Sequence, residues 1–311
     1  MQLNRRTVLG GAAAASAATA LTPFAALQAQ AQAAGFHRYK VGSIDVTVVT
    51  DGVNTFKFPD NFVANKTRDE VNAAWVAMAQ QADQMVVPYS PIAVKTGNRT
   101  VVIDTGRGPA GQFHANLKAA GIDAAQVDTV IISHFHGDHI NGLIDKDNQK
   151  AFAKAEILVP AVEFKYFMDD GEMNKQTTDR MKGVFAGARN VFDALGRKVT
   201  QYEPGKEVAP GITAVATPGH TSLVVQSGSS KVFVQGDVTH VPYLFARNPG
   251  WHAMYDQDPV AAEATRRKVY DMLAAEKMMV QGFHYPFPSI AYIEKTGNGY
   301  RESPVPWNPT I

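Results

Sequence analysis

Residues 127–139 read VDTVIISHFHGDH, an apolar run that passes without a break into three histidines and an aspartate. Val127 to Ser133 carries no polar alternation across Val130, Ile131 and Ile132, the pattern of a strand buried on both faces and so of a sheet covered on both sides. The histidines sit at its C-terminal end. With 9 histidines in 311 residues, three of them plus an acid at fixed places arise by chance at a given start with probability on the order of 10⁻⁶. Spacing supplies a physical reason: residues i and i+2 of an extended segment point the same way, so His134 and His136 can grip one ion. Asp138 and His139, at the following turn, can face a second.

Three other apolar runs end in the same manner. ITAVA is followed by Thr217-Pro218-Gly219-His220, VFVQ by Gly236-Asp237, and MMVQ by Gly282-Phe283-His284. Ligand-type residues at the C-terminal ends of several strands converge on one sheet edge, where sheet-built sites gather. Seven candidates result: His134, His136, Asp138, His139, His220, Asp237 and His284. His37 and His114 fall outside the pattern and read as ordinary surface or core residues. His240 and His252 follow Asp237 closely enough to line a pocket.

Around these runs the chain alternates strands and helices. Ile44 to Thr50 reads as a strand stopped by Asp51-Gly52, and Ile92 to Lys95 with Thr100 to Asp104 as a hairpin about Gly97-Asn98. Thr67 and Glu70 form a capping box that opens a helix running toward Met85, and Gln112 to Ala120 predicts a helix closed by Gly121. Residues 161–196 read as helices whose aromatics mostly pack inward. Strands return at Val199 to Tyr202, Ile212 to Ala216, Leu223 to Gln226 and Lys231 to Gln235. Asp258-Pro259 starts a last helix to about Lys277, before the strand Met278 to Phe283. Two blocks, each of strands, helix and strands, predict two stacked sheets with helices outside.

Composition narrows the chemistry. The 45% hydrophobic content excludes disordered and fibrous classes. Charge is balanced, with 30 Lys+Arg against 29 Asp+Glu, so no basic surface calls for nucleic acid. Cysteine is absent, which removes disulfides, thiolate nucleophiles and Cys-based zinc sites; a metal must be held by His and carboxylate.

Residues 1–34 hold Arg5-Arg6, an Ala-rich apolar stretch and A-x-A options around Ala29 to Ala33, the three regions of a secretory signal. The arginine pair resembles the bacterial twin-arginine export signal, which carries proteins already folded. The expectation is a signal peptide over 1–34, a hydrolase domain over 35–311, a periplasmic or secreted location, and no membrane anchor after cleavage.

The chain from Phe36 to about Pro306 resembles the metallo-β-lactamase superfamily. That resemblance rests on the motif at 134–139, the three further strand ends, and Asp104-Thr105-Gly106, similar to the family's Asp-Thr-Gly strand end. It implies a four-layer αββα sandwich with a dinuclear metal site. His134, His136 and His220 then look like ligands of the first ion, Asp138, His139 and His284 of the second, and Asp237 like the carboxylate bridging both. It further implies hydrolysis by a hydroxide shared between two divalent ions that lower the pKa of water toward ~7, with Asp237 as bridge and proton shuttle and Asp138 as a competing base. Zinc is the expected metal, although imidazole suits Mn, Co and Fe as well.

Within the superfamily the chain is most similar to the exported methyl parathion hydrolases and related lactonases and arylesterases, through Leu117 to Gly121, Pro210 to Ile212 and Ile293 to Val305. Small-molecule lactones, aryl esters or phosphotriesters are the implied substrates, and a homodimer the implied assembly. Thr239-His240-Val241-Pro242 departs from the parathion hydrolase pattern, which sets phosphotriesters behind lactones and esters. Asp237 argues against β-lactams, since the true β-lactamases lack that bridge. The competing readings are a β-lactam or thioester hydrolase and a non-catalytic metal-binding protein; an iron oxidoreductase is disfavoured because His136 stands where flavodiiron proteins carry Glu. The pocket is expected from residues 56–62, the aromatic helices at 164–192, and the 243–255 loop with Trp251.

Overall fold

The computed structural model describes residues 34–306; the signal-peptide reading of residues 1–34 lies, but for its last residue, outside them. The chain opens with strands β1 (Phe36–Val41), β2 (Ile44–Val49) and β3 (Val53–Lys57), helix α1 (Arg68–Val76), and strands β4 (Gln84–Pro88), β5 (Ile92–Thr96) and β6 (Arg99–Ile103). Helix α2 (Phe113–Ala119) leads to β7 (Thr129–Ile131), the short α3 (Gly137–Ile140) and β8 (Glu156–Pro160). Helices α4 (Ala161–Met168), α5 (Asp170–Asn174) and α6 (Asp179–Ala194) follow, then β9 (Thr200–Tyr202), β10 (Glu207–Ala209), β11 (Ile212–Thr217), β12 (His220–Ser227) and β13 (Ser230–Val234). Short α7 (Pro242–Phe245), long α8 (Pro259–Glu276), β14 (Met279–Gln281), β15 (Ile290–Thr296) and β16 (Gly299–Pro304) complete it.

Two seven-stranded sheets form, in the orders β1-β2-β5-β6-β7-β8-β9 and β10-β11-β12-β13-β14-β15-β16. The first changes from antiparallel to parallel at β6–β7, with Val101 opposite Thr129. The second is antiparallel except where β13 meets β14. Side-chain alternation along the strands explains the layering. In β6, Val101 and Ile103 face the second sheet, where they join Leu223, Val225 and Val232 in one apolar layer, while Val102 turns outward to Phe113 and Leu117 of α2. The outer face of the second sheet is covered by Val269, Tyr270 and Leu273 of α8. The order is helix, sheet, sheet, helix, the αββα arrangement.

The Thr67–Glu70 capping box is present, with Glu70 N donating to Thr67 Oγ1 at 3.3 Å and Thr67 N to Glu70 Oε2 at 2.9 Å. Its helix is shorter than the sequence predicts: it stops at Val76, and Met85 lies in β4. Val86 and Val87 lead into Pro88, whose ring and missing N–H disfavour helix at and before it, so this stretch pairs with β3 instead. Trp75 clamps the turn by donating from Nε1 to Gln84 O at 2.7 Å.

Candidate metal centre

The buried strand β7 ends against β8, with Ile132 N donating to Leu158 O at 2.9 Å, and the chain leaves the sheet at Ser133. His134 and His136 project from this exit, and α3 begins directly afterwards, presenting Asp138 and His139. The neighbouring end of β6 fixes the exit in place. Asp104, in a left-handed conformation at φ 59°, accepts from Ser133 N, Ser133 Oγ and His139 Nδ1, each at 2.8 Å. Thr105 Oγ1 donates to His139 O at 2.8 Å. The contact is so close at Gly142 that a Cβ there would lie 1.9 Å from Thr105 O, so only glycine fits.

The other three side chains arrive from the second sheet. His220 opens β12 across from Thr217 of β11. Asp237 follows β13 after Gly236, whose φ of 56° makes the turn. His284 follows β14, and its Nδ1–H donates to Pro88 O at 2.9 Å, which leaves Nε2 facing the centre.

All seven side chains meet. Donor atoms of His134, His136, His220 and Asp237 lie within 4.8 Å of one another, as do those of Asp138, His139 and His284. Asp237 stands between the groups: Oδ1 is 3.3 Å from His139 Nε2, while Oδ2 is 3.7 Å from His134 Nε2 and 3.3 Å from His284 Nε2. His284 Nε2 is also 3.4 Å from Asp138 Oδ2.

The electrostatics suit divalent cations. Burial holds His134 well below the ordinary imidazole range, lowers His136, and brings His220 down to about 4, so these rings present lone pairs. Burial also opposes charge on His139 and His284, but the carboxylates outweigh it, chiefly Asp237 in both cases, and each pKa rises. Asp237 is driven well below the carboxylate range despite its burial, by His284, His139 and His240. Two buried atoms in this cluster, His139 Nε2 and Asp237 Oδ1, face each other at 3.3 Å, yet neither makes a hydrogen bond among the described residues. Leaving such groups unmatched costs about 1–3 kcal/mol each, and more for a charged one. A cation between them removes that cost, and the four-plus-three His and carboxylate set matches the donors that zinc and its neighbours take.

A cavity of about 310 Å³ opens over the cluster, walled by Phe56, Phe62, Val87, Tyr89 and Tyr255. A second, of about 530 Å³, also meets the cluster, at His134, His136 and His220, and includes Glu163, Tyr166 and Phe167. The expected wall is therefore only partly the observed one. Phe185 and Phe192 are buried in the core beneath the first sheet, and Trp251 packs behind the cavity with Phe245 and Leu244.

His240 lines the smaller cavity, with Nδ1 3.5 Å from Asp237 Oδ2, whereas His252 pairs with Glu263 at 3.2 Å and takes no part. His37 lies in β1, and His114 donates from Nε2 to Gly142 O at 2.8 Å, bracing the turn behind the motif. Sequence reading missed Tyr89 and its support. Its ring meets His284 edge-on at 5.3 Å and lies 4.5 Å beneath the Arg107 guanidinium, which buried Asp51 holds through Nε at 3.1 Å. These residues lie far apart in the chain and form no local motif.

The sequence model described as the metallo-beta-lactamase superfamily matches residues 86–280. No curated protein matches the sequence. Among solved structures, AidC, a dizinc quorum-quenching lactonase in complex with an N-hexanoyl-L-homoserine product, superposes with a TM-score of 0.82 at 23% identity, over 88% of this chain and 98% of its own. The hydrolase AbOPH of the beta lactamase superfamily gives 0.82 at 24% identity, over 89% and 99%. A quorum-quenching N-acyl homoserine lactone lactonase gives 0.56 at 16% identity, over 82% and 100%.

Proposed function

The chain belongs to the metallo-beta-lactamase superfamily, and from that premise we propose that it is a dinuclear metal hydrolase of lactones or aryl esters. The observation that carries this reading is the apolar, aromatic cavity of about 310 Å³ set directly over the seven-residue donor cluster. Such a wall suits a largely apolar ester or lactone better than a small polar metabolite. The names of the superposing structures, a homoserine lactonase among them, favour the same class.

His134, His136 and His220 would hold one ion, and Asp138, His139 and His284 the other, with Asp237 shared. When bound, the pair supplies Lewis acidity and an acidified water as nucleophile; zinc is the metal the donor set favours. The chain contributes the rest. Asp104 and Pro88 O fix the outer nitrogens of His139 and His284, so that both rings present Nε2 inward. The aromatic wall excludes water and orients the scissile bond. Asp138, whose side chain is 25% exposed against 1% for Asp237, faces the cavity and is placed to take the proton released as water attacks. Export through the twin-arginine pathway belongs to the same proposal, and its check is the mature protein's mass and location in hosts with and without that translocase.

The test is an initial-rate panel on zinc-loaded protein: a homoserine lactone, dihydrocoumarin, p-nitrophenyl acetate, methyl parathion, a cephalosporin and a glutathione thioester, each with and without chelator. Chelator-sensitive turnover led by lactones or aryl esters supports the proposal. Turnover of only the cephalosporin or the thioester overturns the substrate class.

A further inference from the structure

Arg180 stands in the cavity wall without an ion-pair partner among the described residues. It lines the cavity over the metal-ligating cluster, and outside that cluster it is the one residue of the cavity wall with a formal charge. Its guanidinium lies over the Tyr255 ring, 5.0 Å from the centroid. Among the described residues no carboxylate oxygen lies within 4.0 Å of it, and its hydrogen-bonding contact is Met181 Sδ at 3.9 Å. It also sits in the first turn of α6, capped by Thr178, where the helix dipole disfavours a cation. Two divalent ions in the adjacent cluster would add further positive potential.

A half-buried arginine with five donors and no acidic partner is an anion site waiting for its counter-charge. The carboxylates that share the cavity, Asp138 and Asp237, belong to the donor cluster and are not available to it. The substrate is the remaining source. We infer that Arg180 is a specificity-determining residue that pairs with an anionic group, a carboxylate in the first instance, carried on the substrate away from the scissile ester or lactone bond. Within esters and lactones, the class narrows to those that carry an acid on an otherwise apolar acyl part. The aromatic wall holds the apolar part, and the guanidinium forks over the acid. This inference rests on the hydrolase reading above.

The test compares two phenyl esters of matched length, monophenyl glutarate and phenyl valerate, with zinc-loaded wild type, Arg180→Gln and Arg180→Lys. Among the described residues Arg180 makes no hydrogen bond to another element, and Gln is a comparable helix former, so the fold is not at stake. The expected result is a ratio of kcat/KM, acidic over neutral, that falls about 10- to 100-fold in Arg180→Gln and is partly restored in Arg180→Lys, the range of one charge-assisted pair. A role confined to packing lowers both esters alike and leaves the ratio unchanged, which overturns the inference. A second arm uses the non-hydrolysable amides, glutaranilate and pentananilide, in calorimetric titration of the same proteins. Loss of the acid's binding advantage in Arg180→Gln supports the inference even if no ester turns over; equal binding of both amides by wild type refutes it. Failure of every ester in wild type refutes the hydrolase reading alone.

Discussion

Asp104 and His139, 35 residues apart, are joined by a 2.8 Å hydrogen bond from Nδ1 to Oδ2, and this contact decides which nitrogen of His139 faces the centre. The same carboxylate receives Ser133 N and Oγ, so one buried aspartate sets both the exit of β7 and the orientation of a ligand. A carboxylate behind a ligating imidazole fixes its tautomer and raises its basicity.

Replacing Asp104 with Asn keeps the shape and removes the charge. Affinity for the ion at the His139 group is expected to fall about 10- to 100-fold, read by competition with a chromophoric chelator. The other group, whose histidines make no contact with Asp104 among the described hydrogen bonds, is expected to change less. Equal loss at both ions would show that Asp104 supports the whole exit of β7 and not one ligand.

Asp237 reaches both donor groups, His134 and His284 through Oδ2 and His139 through Oδ1, so Asp237→Ala is expected to bind fewer than two equivalents of zinc and to lose all measurable turnover. Elemental analysis after dialysis against a slight excess of zinc checks it. A variant that keeps two ions and part of its activity would show that Asp237 is not shared.

Much of this centre was legible because each ligand closes a local pattern: an apolar strand, a turn residue, then His or Asp. The structure gathers all seven from four chain segments for the same reason, since these segments leave the two sheets at one edge. His240 was less legible because it follows no strand of its own, only the turn after Asp237. The hairpin of β3 and β4 escaped because β3 is mostly exposed and shows no buried face to periodicity, and a helix overrunning to Met85 was read across it. The β15–β16 hairpin carries a buried Ile293 and Tyr300 amid charged residues, too dilute a pattern to decide alone. The support that Asp51 and Arg107 give Tyr89 is a set of side-chain contacts between distant segments, which no local spacing encodes.

Arg266 is 2% exposed and donates from Nη1 to Pro249 O at 2.7 Å and Trp251 O at 2.9 Å, with Asp256 3.5 Å from Nη2. It therefore holds the loop that carries Tyr255 and the back of the cavity. Arg266→Met removes a donor from three carbonyls, Val238 O included, and leaves the buried Asp256 carboxylate with Ala253 N and no counter-charge, and is expected to cost about 3–5 kcal/mol in urea unfolding. The retained fraction of folded enzyme should also show a raised KM. A loss under 1 kcal/mol would mean that water replaces the guanidinium.

Glu163 offers the pH test. Burial pushes its carboxyl up to about 7 from an ordinary 4.5, against the opposing pull of Phe135 N–H, 3.0 Å from Oε2. A carboxyl whose pKa is raised on folding binds its proton more tightly in the folded state, so its contribution is fully present below about 4.5 and is lost as pH rises to about 7. Glu163→Gln keeps an oxygen for Phe135 N–H and cannot ionise. Stability of the variant minus that of wild type is therefore expected to grow by about 1–3 kcal/mol between pH 4.5 and 7.5 and then level off. Protonation of the clustered histidines, and release of any zinc they hold, affect both proteins and cancel in the difference. Urea midpoints at five pH values, at fixed zinc, check it; a difference that stays flat across the window would show that Glu163 is as well solvated in the folded protein as in the unfolded chain.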